Sequence, residues 1–176
     1  MPVKVHGAIA LRKALRQFAP DLAKETNKEI ASFIKPIVKN ARGYMPSNAD
    51  APSGWLKRDN AKGKWATRYY DAGLARRGIT YKATPSRPNA NGFQALASIY
   101  NKSAAGAIYE TAGRKSGITG NFTPRLGGEI KGRNQMNRGR GIFRAFEEDR
   151  GKATAGIVRA IETAKAKFQA KTGGLK

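Results

Sequence analysis

In the stretch NKSAAGAIYETAGRKSG, residues 101–117, one acid stands beside a tyrosine among small side chains, with Gly113 and the basic pair Arg114–Lys115 close behind. A catalytic glutamate, a tight packing joint and an assembly contact all share that pattern. Catalysis by Glu110 would need a partner to orient it or trade protons with it. The chain has one histidine, His6, near its N-terminal end, and no cysteine. A His-based triad, a multi-His metal site, a disulfide framework and a cysteine-based zinc or redox site are therefore set aside. Glu147, Glu148 and Asp149 are adjacent acids, but consecutive helical residues point in different directions and do not converge on one ion. They read as a solvated acidic turn near a helix start. There is no GxxxxGK[ST] sequence, and Gly127–Gly128 follows no credible buried strand, so it reads as a flexible loop rather than a phosphate cradle. No catalytic, cofactor-binding or metal-ligating residue, and no cofactor, is expected.

Charge is the strongest global signal. The chain carries 34 Lys+Arg against 12 Asp+Glu, a net charge of +22. Such a surplus repels itself and is tolerated where a polyanion or an acidic partner compensates it. From Arg114 to Arg144 only Glu129 opposes Arg114, Lys115, Arg125, Lys131, Arg133, Arg138, Arg140 and Arg144. The segment WLKRDNAKGKWATRYY interleaves aromatics with cations, as a base-stacking surface for single strands does. It also fits an arm whose Trp55 and Trp65 insert into a neighbouring subunit, and the protein-contact reading is preferred because no single-strand-binding motif accompanies it. No stretch has the apolar length of a signal peptide core or a membrane span, and no membrane partner is expected.

The elements that position these residues follow from periodicity. At 176 residues and 40% hydrophobic, the length suits a single domain, residues 1–176. Leu11, Leu15, Phe18 and Leu22, then Ile30, Phe33 or Ile34, Ile37 or Val38 and Ala41, define an N-terminal helical segment over 1–42, with a new helix starting at Pro20 and a bend or break at Pro36. Residues 43–72 fit neither period and read as an extended arm or loop. Within 73–117, Ile79–Ala83 and Phe93–Tyr100 alternate as the strands of a hairpin around PSRPNANG, followed by a short helix that Ser103 caps and Gly113 closes in the left-handed conformation. Residues 118–141 read as a basic, glycine-rich loop, and 142–171 as a C-terminal helix whose apolar face is Ile142, Phe146, Ala153, Ile157, Ile161, Ala164 and Phe168. The sum is an α+β chain, long N- and C-terminal helices packed on a small antiparallel sheet with extended loops. Glu110, isolated among cations, is expected to pair with a nearby arginine.

The run AAGAIYETAGRKS, followed by NFTPRLGG and by IFRAFEEDRGKATAGIVRAIETAKAKF, resembles the small head-to-tail joining proteins of long-tailed bacteriophages, called neck or tail-completion proteins. The helix ending in ARGYMP, the element SGWL and the hairpin beginning RRGITYKA extend the resemblance over most of the chain. The resemblance implies a structural virion protein at the junction of the DNA-filled head and the tail, present in the host cytoplasm during assembly. It carries no catalytic residues across. It implies a homo-oligomeric ring, with a hexamer favoured, and neighbouring head-closure and tail-terminator or tail-tube proteins as partners. A ring of identical subunits needs heterologous interfaces. Tyr109, Glu110, Gly113, Arg114, Trp55 and Trp65 are the candidates for an interface or packing joint, and Lys131, Arg133, Arg138 and Arg140 for contact with packaged DNA or an acidic partner. The alternatives are a basic nucleic-acid-binding protein and a tail-terminator or head-closure ring protein.

Overall fold

The computed structural model describes residues 7–56, 69–114, 122–132 and 138–173. Its elements in chain order are α1 (Ala8–Phe18), α2 (Pro20–Gly43), a single 3₁₀ turn (Ser53–Trp55), α3 (Ala72–Gly78), β1 (Ile79–Lys82), β2 (Ser98–Asn101), α4 (Ala104–Thr111), α5 (Phe122–Arg125), β3 (Lys131–Gly132), β4 (Arg138–Gly139) and α6 (Ile142–Gly173). This is the α+β class. The strands form two separate two-stranded sheets, β1 with β2 and β3 with β4, rather than one. The chain sorts into two compact units, and both α2 and α6 contribute to each.

The first unit comprises the chain up to residue 35, residues 81–98 and the chain from 151 onward. Its core joins Leu11, Leu15, Ala19 and Ala23 to Ala164 and Phe168, with Ala14, Leu22 and Ile161 packed against it. The first and last helices thus share a core, as two one-sided helices must. The faces differ from those read off the sequence. Phe18 is exposed and Ala19 buried, because the chain leaves helical geometry at Ala19 before α2 starts at Pro20. On α6 the buried seam in this unit is Ala153, Gly156, Ala160, Ala164 and Phe168, while Ile157 and Ile161 straddle its edge. A Cβ on Gly156 would collide with the Phe33 ring, so glycine there lets α2 and α6 approach closely. Large residues set the expected stripe; small ones set the actual seam.

The connection from β1 to β2 is a fixed turn. Ser86 N–H donates to Ala95 O (2.9 Å), Asn89 N–H to Phe93 O (3.0 Å), and Asn89 Oδ1 accepts from the N–H groups of Asn91 and Phe93. Strand pairing is shorter than the alternation suggested, since Phe93, Ala95 and Ala97 lie outside β2 and Phe93 is exposed at the turn.

The second unit comprises residues 36–80 and 99–150. Its buried residues include Ile37, Val38, Ala41, Met45, Trp55, Tyr70, Ala75, Ile79, Tyr109, Leu126 and Ala145. Helix α2 is not interrupted by Pro36. The described part of the expected arm is folded: Met45, Ala51, Trp55 and Tyr70 are buried, Tyr70 N–H donates to Trp55 O (2.7 Å) and its hydroxyl to Pro46 O (2.7 Å). Asp71 caps α3 through Leu74 N–H and Ser103 caps α4 through Gly106 N–H, both by the short-side-chain mechanism. Asn101 ties the two helices, donating to Ala75 O (3.0 Å) and accepting from Ser103 N–H (2.8 Å).

Candidate functional site

Helix α6 begins after glycine, with no Ser, Thr, Asp or Asn before Ile142 to satisfy its first N–H groups and no acid in its first turn. Those groups are satisfied from a distance. Glu110, at the end of α4 and only 4% exposed, accepts from Gly141 N–H (2.8 Å) and Ile142 N–H (2.9 Å) through Oε2, and from Phe143 N–H (2.9 Å) through Oε1. The charge also faces the positive end of the helix dipole. A Cβ on Gly139 or on Gly141 would collide with the Glu110 carboxylate or with Met45, so both glycines are there to admit it. The expected pairing of Glu110 with an arginine takes another form: backbone N–H groups hold both carboxylate oxygens, and the Glu110 charge acts on Arg140 through space.

Arg140 lies beside this joint and is buried at 3% exposure. Its guanidinium donates to Gly127 O (2.9 Å), Tyr109 O (3.3 Å) and Ala112 O, and stands 5.8 Å from the Tyr109 ring centre. Burial lowers its pKa. Spent inside the subunit, it is not free to meet a polyanion, which corrects its assignment to an external contact. Gly127 and Gly128 both adopt left-handed backbone (φ 58° and 71°), and a Cβ on Gly128 would fall 2.6 Å from the Tyr109 hydroxyl. The glycine pair read as flexible loop is a packing turn over Tyr109. Burial raises the Tyr109 phenol, opposed by Arg140.

Gly113 closes α4 with φ 79°, as its position suggested. Arg114 follows, and its Nε donates to Arg138 O (2.5 Å) while an Arg138 Nη2 donates back to Arg114 O. Arg114 also lies over Phe143, 4.7 Å from the ring centre. Arg138 Nε is buried with no hydrogen-bond partner. Lys131 bridges Glu129 (3.3 Å) and Glu148 (3.7 Å). Tyr109, Glu110, Gly113, Arg114, Arg138 and Arg140 are thus brought together around the start of α6, and Lys131 meets the same helix through Glu148. Trp55 packs against Tyr70 (ring centres 4.9 Å apart, planes tilted by 40°) and edge-on to Phe122 (5.2 Å). Trp65 and Arg133 lie outside the described residues.

The three adjacent acids of α6 diverge as expected. Glu148 meets Tyr44, Arg144 and Lys131, Glu147 meets Arg150 (3.7 Å), and Asp149 accepts from Asn40 (3.0 Å). The Tyr44 hydroxyl first, then Arg144, hold the Glu148 carboxyl below its usual range. Among the described residues no helix is long and apolar enough to cross a membrane, and no group of three metal-ligating side chains converges. The chemistry of the joint is ion–dipole: a carboxylate against a helix N-terminus and guanidinium groups against carbonyls. Sequence reasoning missed the capping role of Glu110, although a long helix starting without a cap of its own was a legible signal. It also missed Arg12, buried on α1. No protein-family model, curated protein or solved structure matches the chain.

Proposed function

We propose that this protein is a structural subunit of the phage head–tail junction, a neck or tail-completion protein that assembles with copies of itself into a ring and joins the DNA-filled head to the tail. The observation that carries the reading is the state of Glu110. The one acid in the Ile108–Gly113 segment, where the resemblance is most specific, is spent on the start of α6. The segment then serves as a packing joint that sets where α6 begins, the kind of role a particle subunit needs from it.

The basic surplus supports a polyanion or acidic neighbour as partner. Phosphate contacts position a duplex without reading its sequence. A second reading, a nucleic-acid-binding protein acting alone, rests on the same charge.

The test is gold labelling of the protein on intact and tail-less particles in the electron microscope. Label confined to the head–tail junction is the expected result. Label absent from particles, with the purified chain binding DNA in a strongly salt-dependent way, would replace the proposal with the second reading.

A further inference from the structure

Arg12 is the buried cation of the first unit. It sits on α1 at 4% exposure, and the partners of its guanidinium are uncharged: Leu96 O (2.6 Å), Ala83 O and Asn27 Oδ1. The salt bridges among the described residues do not include it. These neutral oxygens take three hydrogen bonds from the five N–H groups of the guanidinium but cannot cancel its charge, and taking an uncompensated charge out of water is expensive. Burial first, then the like charge of Arg16, depresses its pKa to about 10.

Beside it lies a partly enclosed recess of about 10 Å³ lined by Arg12, Arg16, Thr26, Asn27, Thr84 and Pro85 among others. That is room for one body the size of a water molecule or slightly larger. The lining carries two guanidinium groups and no carboxylate. Asn27 turns its oxygen to Arg12. Thr26 donates to Leu22 O (2.7 Å), so its hydroxyl is already committed.

We infer that this recess is a binding site for a small monovalent anion of chloride size, which supplies the counter-charge that buried Arg12 lacks, with Arg16 closing the site from its exposed rim. The anion would stabilise the packing of the 83–97 turn on α1 and α2, because Arg12 is the residue that holds Ala83 and Leu96. The inference does not depend on the proposed function.

The test is the melting temperature of the full chain in chloride against gluconate at constant ionic strength, for the parent, Arg16→Gln and Lys13→Gln. Lys13 is exposed on the same helix and absent from the recess lining, so Lys13→Gln removes the same charge without touching the site. Exchange of gluconate for chloride should raise the melting temperature of the parent and of Lys13→Gln by about 3 °C or more, as expected when free anion exceeds its Kd several-fold. In Arg16→Gln the gain should fall to less than half. Equal melting in the two salts would overturn the inference. So would equal losses in Arg16→Gln and Lys13→Gln, which would mean general screening of the positive charge, or sulfate performing as well as chloride, which would deny the size limit.

Discussion

A buried carboxylate that accepts three N–H groups at the start of a helix stabilises through hydrogen bonds to a charged acceptor and through the helix dipole together. Glu110→Gln keeps the shape but removes the charge and turns an amide N–H₂ toward backbone donors. We expect it to lower the unfolding free energy by about 2 kcal/mol, read as a lower denaturant midpoint at unchanged m-value. A midpoint equal to the parent's would show that the capping geometry carries no energy. Tyr70 gives a pH-dependent counterpart. Burial raises its phenol well above the usual range, with Arg76 opposing. A group whose folded pKa is raised contributes stability that is complete below its unfolded pKa, about 10 for tyrosine, and is lost as pH climbs beyond it. Tyr70→Phe forfeits the hydrogen bond to Pro46 O at neutral pH, a loss of about 1 kcal/mol. The gap between parent and variant should narrow between pH 9 and about pH 11, followed by equilibrium unfolding. A constant gap would mean that Tyr70 ionises in the folded state as easily as in the unfolded one.

At the scale of elements, periodicity located the long helices because each buries a continuous apolar side, and it located the α4 cap because Ser103 and Gly113 act within a few residues of themselves. It misplaced the helix faces where burial depends on how closely two helices approach. The α6 seam is built from Ala153, Gly156, Ala160 and Ala164, residues that carry little weight in a hydrophobic pattern yet decide the spacing. The link from Glu110 to the start of α6 spans about thirty residues of sequence, and no local rule reaches that far. Two glycines of α6 make the point testable. A Cβ on Gly151 meets nothing within 4 Å, so Gly151→Ala should raise stability by roughly 0.5–1 kcal/mol through helix propensity and the unfolded chain. Gly156→Ala places its Cβ against Phe33 and should lower stability by about 1–3 kcal/mol. Thermal melts of the two variants should move in opposite directions. Equal shifts would remove close packing as the reason for Gly156.

At the scale of the molecule, a net charge of +22 on 176 residues works against compactness and calls for compensation from outside. If the partner is DNA, binding should fall steeply with added salt and vary little with base sequence, because the contacts are to phosphate. Titrations of unrelated duplexes from low to high salt read both properties, and a strong sequence preference at fixed salt would exclude a contact made to phosphate alone. The central claim, that the subunit joins heads to tails, is tested most directly by counting joined particles in the electron microscope. Lysates of the phage deprived of this protein are compared before and after the purified chain is added. The account predicts separate DNA-filled heads and free tails in its absence and their joining once it is supplied. Complete, joined particles in lysates that lack the protein would contradict it.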